Sequence, residues 1–356
     1  MKIIDVITKR INLERKKVFK TALATSKYTT SIYVKVITDT GIIGMGEAMA
    51  FAPVTGETCD GVIAAIEFMK NALIGMDPHD IEEIHNVMDK MIAGNTAAKA
   101  AIDMACYDIE GKDRNIPVYK LLGATKNCIQ TDITIGIDTP EKMKDEALDR
   151  VAEGFRILKI KCGLDRKDDL AAVKRIRESV GEAVDLRVDI NQGYDIETAV
   201  EVLKMMKEYR IGEAEQPLPA WDIDGMEALR RQSAIPIMID EGVHTPEQAL
   251  IACRHHACDV VNIKLMKCGG IYPALKIADI ADSFGMNCII GCMSESKLSI
   301  AAGAAVAAAK DNIKDTDLDS FLSFSENCGA QGGFTVDRDM ITLLDRPGLG
   351  VDEFEF

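Results

Sequence analysis

Hydrophobic and polar residues follow two different patterns along the chain. In the first third, three stretches rich in β-branched residues precede three longer stretches with helical periodicity. The predicted strands are residues 2–8, 31–38 and 42–47, and the predicted helices are residues 59–73, 80–91 and 97–112. The last helix has small or apolar residues on one face, at 97, 100, 101, 104 and 105, which predicts that this face is buried. Residues 16–30 and 48–57 are uneven and polar, and we predict irregular loops there.

Beyond residue 123, short apolar strands alternate with helical segments. The strand-like runs are residues 131–137, 156–161, 185–189, 212–215, 236–240, 260–264, 288–291 and 312–317. Repeated strand–helix units are typical of a parallel sheet with helical crossovers, and eight of them predict a closed barrel. A doubly wound open sheet is the alternative, but no glycine-rich phosphate fingerprint follows these strands.

The predicted fold is therefore of the α/β class with two domains. A TIM-like (β/α)8-type barrel covers residues 124–321, and an α+β capping domain covers residues 1–123. The tail, residues 322–356, reads as irregular and is expected to return to the first unit and complete the capping domain.

Composition narrows the classes of partner. The chain of 356 residues carries 57 acidic and 42 basic residues, a net charge of −15, which argues against nucleic acid or an anionic membrane as a partner. No apolar run is long enough to span a bilayer, and Asp5 lies where a signal peptide needs its apolar core. The 10 cysteines are scattered without a C-x-x-C pair, which favours a reducing, cytoplasmic location.

Two lysines share one predicted strand. Lys159 and Lys161 stand at i and i+2, so their ammonium groups lie on the same face. Neighbouring cations disfavour each other's charge, and we expect at least one of these lysines to have a lowered pKa, as a catalytic base requires. For this run alone, a polar strand face turned to water is the alternative.

Acidic residues end the next three predicted strands. These residues are Asp189 (with Asn191), Glu215 and Asp240, and Lys264 ends the strand that follows; the steps along this series are 26, 25 and 24 residues. Barrel active sites lie at the C-terminal ends of the strands, so the three carboxylates should converge. Their repulsion calls for a cation, and three hard oxygen ligands suit Mg²⁺ or Mn²⁺. A helix cap or a solvated loop explains any one acid better than a metal site does, but it does not explain the set.

The same arrangement suggests a reaction. A divalent ion that binds a substrate carboxylate stabilises the enediolate formed when the α-proton leaves. Lys161 and Lys264 come from the second and sixth strands and would face opposite sides of the α-carbon. One lysine removes the proton as a base while the other delivers one to the opposite face. Opposed groups of this kind invert the carbon, whereas one-sided chemistry favours elimination.

The strand-end motifs resemble those of the enolase superfamily, and within it the muconate-lactonizing subgroup. The resemblance covers essentially the whole chain and rests on Lys159-Ile160-Lys161, Asp189-Ile190-Asn191, Glu215-Gln216-Pro217, Asp240-Glu241 and Lys264–Gly270. It implies Asp189, Glu215 and Asp240 as metal ligands, with Lys161 and Lys264 as the acid/base pair. Lys159 would then lie beside the substrate carboxylate and lower the pKa of Lys161. Members of this superfamily use a Lys or His base with one or two Mg²⁺ ions.

A further resemblance concerns the substrate. Asp317 and Asp319 are similar to the Asp-x-Asp pair of dipeptide epimerases, which binds the free α-ammonium group of a dipeptide. The segment Gly291–Lys297, with Met293 and Glu295, looks like the seventh-strand loop of the same enzymes and is expected to line the pocket. A solvated acidic loop is the alternative for the two aspartates. The resemblance implies an L,L-dipeptide inverted at its second residue, and a homo-oligomeric enzyme.

The chain departs from one branch of these enzymes. The segment Phe19–Leu23 resembles the mobile capping loop of Ala-Glu epimerases, in which the next residue is an arginine that holds the glutamate side chain. This chain has Ala24 there, although Lys20 or Lys27 could replace the lost charge. With Phe19 and Phe51 in the two capping loops, we predict an apolar pocket that prefers hydrophobic or uncharged second residues over Glu.

Two other functions fit parts of the pattern. An N-acylamino acid racemase or an o-succinylbenzoate synthase of the same subgroup would keep the fold and the metal but would need no ammonium site. A non-catalytic, metal-stabilised barrel that only binds a ligand belongs to another class. The lysine pair argues against it, because a protein that only binds has no need of two bases.

Overall fold

Three antiparallel strands form the first sheet: β1 (Ile3–Lys20), β2 (Thr25–Thr38) and β3 (Ile43–Ala48). The computed structural model describes residues 1–325 and 328–354, so residues 326, 327, 355 and 356 of the predicted tail lie outside the described residues. Residues 16–30, predicted to be irregular, are instead the end of a long β1–β2 hairpin. Thr29 is the one buried residue of this end, whose side chains therefore lack the alternation that marks a half-buried strand.

The helices of the first unit pack behind this sheet. They are α1 (Ala52–Thr55), α2 (Cys59–Leu73), α3 (Ile81–Met91), α4 (Thr96–Asp113) and α5 (Val118–Leu121). The predicted buried face of α4 is confirmed, but Ile102 and Cys106 are fully buried as well, so the helix is enclosed on nearly all sides. Gly46 of β3 lets α4 approach closely, because a Cβ atom there would lie 1.8 Å from the Ala101 carbonyl oxygen.

The barrel prediction is confirmed. Eight parallel strands pair in chain order, and a parallel bridge between Thr131 and Thr316 brings the two ends together. The strands are β5 (Ile133–Ile135), β6 (Ile157–Lys161), β7 (Asp185–Asp189), β8 (Ile211–Glu215), β9 (Ile237–Ile239), β10 (Val260–Lys264), β11 (Asn287–Gly291) and β12 (Ile313–Asp317). Their ends differ from the predicted ends by no more than two residues.

Helices connect these strands along the outside of the barrel. They are α6 (Pro140–Ala152), α7 (Arg166–Val180), α8 (Ile196–Met206), α9 (Ile223–Gln232), α10 (Pro246–His255), α11 (Leu265–Cys268), α12 (Ile271–Ser283) and α13 (Lys297–Ala309). Several begin at a side chain that accepts a hydrogen bond from the first turn, as Asp165 does for α7 and Ser296 for α13. Such caps satisfy backbone N–H groups that the helix itself leaves unpaired.

The tail is more regular than predicted. It contributes β13 (Phe334–Asp337) and β14 (Met340–Leu343), and β14 pairs with β4 (Cys128–Gln130) to make a third sheet. Strands of four residues carry too little alternation to be recognised from sequence. Backbone bridges also join Phe324 to Arg15 and Gly348 to Pro117, which connects the tail to the first unit. Among residues 1–325 and 328–354, no helix is long and apolar enough to cross a membrane.

Candidate active site

Six ionisable side chains meet at the C-terminal ends of β6 to β10. They are only 0–8% exposed and comprise Lys159, Lys161, Asp189, Glu215, Asp240 and Lys264. In a parallel barrel this end collects residues that are far apart in sequence, because each strand returns to the same edge. The structure therefore brings together all the residues that the sequence proposes as metal ligands and acid/base groups.

Each predicted ligand carries a lysine partner. The Nζ atom of Lys159 lies 3.0 Å from Asp189 Oδ2 and 2.7 Å from Glu215 Oε2. Lys161 Nζ lies 2.5 Å from the same Asp189 oxygen, while Lys264 Nζ lies 2.8 Å from Asp240 Oδ2. Buried carboxylates and ammonium groups thus alternate across the site and offset each other's charge.

Of the two neighbouring lysines, for at least one of which a lowered pKa was predicted, Lys159 has a raised pKa. Burial alone would lower its pKa, but the carboxylates of Asp189, Asp317 and Glu215 outweigh burial and hold the pKa well above its usual range. Burial likewise opposes the charge of Lys264, and Asp240 again raises its pKa. A lysine that accepts a proton here requires another cation to neutralise these carboxylates.

The donor set fits a hard divalent cation. Burial and the neighbouring Asp189 charge raise the pKa of Glu215, which shows how unfavourable its negative charge is without further compensation. Oε2 of the nearby Glu241 is buried and has no hydrogen-bond partner among the described residues. Oxygen ligands of this kind suit Mg²⁺ or Mn²⁺ rather than a soft metal.

Backbone and side-chain contacts hold these groups in place. The Asn262 amide donates to Glu215 Oε1 over 2.9 Å, and the Asp240 N–H donates to Gln216 Oε1 over 2.9 Å. At the end of β11, a Cβ atom on Gly291 would lie 2.9 Å from Lys264 Cε. A larger residue at this position would therefore displace the end of the Lys264 side chain.

A second group of carboxylates lies next to Lys159. Ligand atoms of Asp132, Asp317 and Asp319 lie within 4.8 Å of one another. Asp317 Oδ2 accepts a hydrogen bond of 2.6 Å from Lys159, and Asp319 Oδ2 accepts one of 2.7 Å from the Thr134 N–H. This group places concentrated negative charge on one side of the site, as binding of an ammonium group requires.

A cavity of about 440 Å³ opens onto this site from beneath the β1–β2 hairpin. Most of the predicted substrate-binding residues line it, namely Phe19, Ala24, Phe51, Met293, Asp317 and Asp319, together with Lys161, Asp240 and Lys264. Lys159 and Glu295 do not form part of its wall. The Glu295 carboxylate instead accepts hydrogen bonds from the Met293 N–H (2.6 Å) and the Ser299 hydroxyl, so it shapes the loop after β11.

Several residues at the site were not identified from sequence. Lys267 lies 2.5 Å from Asp240 Oδ1, and its place in the motif Lys264–Gly270 was the available signal. Asp132 precedes β5 and is fully enclosed, but an isolated acid before a strand is an uninformative pattern. Arg15 lines the cavity from β1, just before the segment that was expected to be a loop, and no local pattern marked it.

The fold and the buried lysine–carboxylate site define a barrel enzyme. Residues 3–123 match the model of the mandelate racemase/muconate lactonizing enzyme N-terminal domain, and residues 142–353 match that of the enolase C-terminal domain-like family. The chain belongs to the mandelate racemase/muconate lactonizing enzyme family of the enolase superfamily.

Several similar proteins of this family are epimerases. The chain is 40% identical over 351 residues to the L-Ala-D/L-Glu epimerase of Clostridium acetobutylicum, with 98% of each chain covered. It is 41% identical over 353 residues to the hydrophobic dipeptide epimerase of Enterococcus faecalis, with 99% of each covered. The E. faecalis dipeptide epimerase structure complexed with Mg and L-Leu-L-Tyr matches with a TM-score of 0.97 and 40% identity, covering 99% of this chain and 100% of that one. The chain is thus an isomerase.

Proposed function

We propose that this isomerase is a Mg²⁺-dependent dipeptide epimerase that inverts the α-carbon of the second residue of L,L-dipeptides by 1,1-proton transfer. The observation that carries the proposal is the pair Lys161 and Lys264, buried on opposite sides of the barrel and lining the same cavity as Asp317 and Asp319. Relatives at about 40% identity that act on dipeptides support it.

Asp189, Glu215 and Asp240 would hold the ion, with Mn²⁺ as a possible substitute. When bound, Mg²⁺ offsets the negative charge that develops on the substrate carboxylate as the α-proton leaves. Lys159 remains charged, since three carboxylates surround it, and adds positive charge on the same side. Nζ of one of Lys161 and Lys264 accepts the α-proton, and Nζ of the other donates a proton to the opposite face.

Asp317 and Asp319 would bind the α-ammonium group of the dipeptide. Both carboxylates line the cavity and are nearly enclosed, so an ammonium group there would be held by charge-assisted hydrogen bonds. An N-acylated amino acid has no such group. This feature distinguishes a dipeptide epimerase from an N-acylamino acid racemase or an o-succinylbenzoate synthase.

The second residue would face an apolar wall. Phe19, Leu23, Ala24, Phe51, Val54 and Met293 line the cavity at the hairpin end and around it. Of the two lysines that could replace the missing arginine, Lys20 lines the cavity but is exposed, and Lys27 does not line it. We therefore propose a preference for hydrophobic or uncharged second residues over Glu. The homo-oligomeric assembly and the domain limits at residues 123/124 and 321/322 remain predictions.

The test is ¹H NMR in D₂O with Mg²⁺ and a library of L,L-dipeptides. Loss of the second residue's α-proton signal, with appearance of L,D product, is the expected result, and Ala-Leu, Ala-Phe and Ile-Tyr should react faster than Ala-Glu. N-acetyl and N-succinyl amino acids are assayed in parallel. Turnover of these compounds without any turnover of dipeptides would reject the proposal.

Variants of the aspartate pair distinguish a dipeptide epimerase from an enzyme that acts on N-acylated amino acids. Asp317→Asn and Asp319→Asn should raise KM for dipeptides by about tenfold or more, since a hydrogen bond to a charged group is worth about 1.5–3 kcal/mol. Asp311→Asn, an exposed position just before β12, is the matched control. An unchanged KM in both site variants would argue against an ammonium site.

A further inference from the structure

Arg15 is a buried cation in the wall of the cavity. It lies on β1 and is 5% exposed. Its Nε donates to Ser26 Oγ (3.2 Å), its Nη1 donates to Ser323 Oγ (2.7 Å), and its Nη2 donates to Ser294 Oγ. These three acceptors are neutral hydroxyl groups. The guanidinium therefore gains hydrogen bonds from these neighbours but no direct ion pair with them.

The surroundings of Arg15 differ from those of Arg187, another buried arginine. Within residues 1–325 and 328–354, no carboxylate oxygen lies within 4.0 Å of its guanidinium. Arg187, by contrast, pairs with Asp132, Glu213 and Asp315. Two aromatic rings flank Arg15 instead, with the centroids of Phe19 and Phe324 at 5.0 and 5.1 Å from its guanidinium carbon. This packing holds the cation at a defined place in the wall.

Arg15 lies on the same side of the cavity as the aspartate pair. Its Nη1 contacts Ser323, four residues after Asp319, and its backbone bridges that of Phe324. Burial lowers the pKa of Arg15, and Asp319 is the acid that most opposes this effect. If Asp317 and Asp319 bind the α-ammonium group, the side chain of the first residue of the dipeptide extends past Arg15.

We propose that Arg15 is a specificity residue that excludes cationic side chains from the first position of the dipeptide and admits neutral or acidic ones. This inference rests on the proposed function. A second cation in this enclosed space would repel the guanidinium at reduced dielectric. A neutral or acidic side chain meets no such repulsion, and the guanidinium has further N–H groups to donate to it.

The test compares Lys-Leu with norleucine-Leu, which has a similar length but no side-chain charge, and with Glu-Leu. The Mg²⁺-loaded wild-type enzyme should show a kcat/KM for Lys-Leu at least about tenfold below that for norleucine-Leu. Arg15→Met should reduce this ratio to below about threefold, and Arg15→Lys, which keeps the charge, should retain it. Arg10→Met removes an exposed arginine of the same strand and should leave the ratio unchanged.

Kd values for the same peptides, measured by calorimetry, show whether binding depends on the side-chain charge when there is no turnover. Equal kcat/KM values of the wild type for Lys-Leu and norleucine-Leu would overturn the inference. This comparison does not depend on whether Arg15→Met folds. Turnover of dipeptides with the same ratio in Arg15→Met also overturns it and leaves the proposed function intact. If no dipeptide is turned over, but binding depends on the side-chain charge and this dependence is lost in Arg15→Met, the role of Arg15 is supported and the epimerase function is rejected. If there is no turnover and binding does not depend on the side-chain charge, both proposals are rejected.

Discussion

Lys161 and Lys264 end the second and sixth strands of an eight-stranded barrel, and each contacts a different carboxylate. Three strands lie between them on one side of the sheet, so their Nζ atoms reach the cavity from opposite directions. This geometry suits proton removal on one face of an α-carbon and proton delivery on the other.

Removing either lysine should separate exchange from inversion. Lys161→Ala and Lys264→Ala should each lose epimerisation by about 10²–10⁴-fold, the usual contribution of one acid/base group. Each variant should still exchange the α-proton of the isomer that faces the remaining lysine. Monitoring L,L- and L,D-dipeptides by ¹H NMR in D₂O checks both effects. Lys167→Ala, at an exposed position of α7, is the control, and substantial inversion by both site variants would refute the two-base arrangement.

Mg²⁺ should stabilise the folded chain in a concentration-dependent way. A ligand that binds only the native state raises the unfolding free energy by RT ln(1 + [L]/Kd), so Tm should rise with Mg²⁺ and fall after chelation. Glu215→Gln should abolish this rise, because it removes one charged ligand. Glu213→Gln, two residues earlier on β8, should lower Tm but keep the Mg²⁺ response. A full response in Glu215→Gln, measured by differential scanning calorimetry, would exclude this carboxylate as a ligand.

Ala24→Arg should shift the preference toward an acidic second residue. Ala24 lines the cavity at the tip of the hairpin, and an arginine there would supply a charge partner for glutamate. A charge-assisted hydrogen bond predicts a rise of about tenfold or more in the Ala-Glu to Ala-Leu ratio of kcat/KM. Thr25→Arg is the matched control, since this neighbour is exposed and lies outside the cavity wall. Equal ratios in the two variants would mean that position 24 does not set the preference.

The contacts of Asp339 between the tail and the barrel should stabilise the fold to an extent that depends on pH. Its carboxylate accepts two hydrogen bonds from Arg156, of 2.8 and 2.9 Å, and one of 2.8 Å from Gln130. Burial alone would raise the pKa of Asp339, but these donors outweigh it and lower the pKa. The stabilisation is therefore complete above the unfolded-state pKa of about 3.9 and is lost as pH falls through the lower folded-state value.

Urea unfolding of Asp339→Asn across pH 7 to 3 measures this contribution. We expect a loss of about 1–3 kcal/mol at pH 7 and a smaller difference from wild type below about pH 4. Asp337→Asn, exposed on β13, should unfold like wild type. A difference between Asp339→Asn and wild type that is independent of pH would show that the carboxylate charge is not what matters.

Local patterns in the sequence predicted the barrel and its chemical groups. Strands such as β7 and β10 match their predicted ends, because a run of β-branched residues between helical segments is a local signal. Regular spacing then placed Asp189, Glu215, Asp240 and Lys264 at successive strand ends. Since parallel strands return to one edge, that spacing implied that these side chains meet.

Other features depend on contacts between distant parts of the chain, and only the tertiary structure decided them. The long hairpin has no hydrophobic alternation at its end, because nearly all residues of that end are exposed or only partly buried. Arg15 is held by hydroxyl groups 279 and 308 positions away, which no local pattern can reveal. The raised pKa of Lys159 follows from carboxylates on three other strands, whereas adjacency to Lys161 alone suggested the opposite shift. The sequence by itself determined which groups line the strand ends, and their charge states and their partners required the folded geometry.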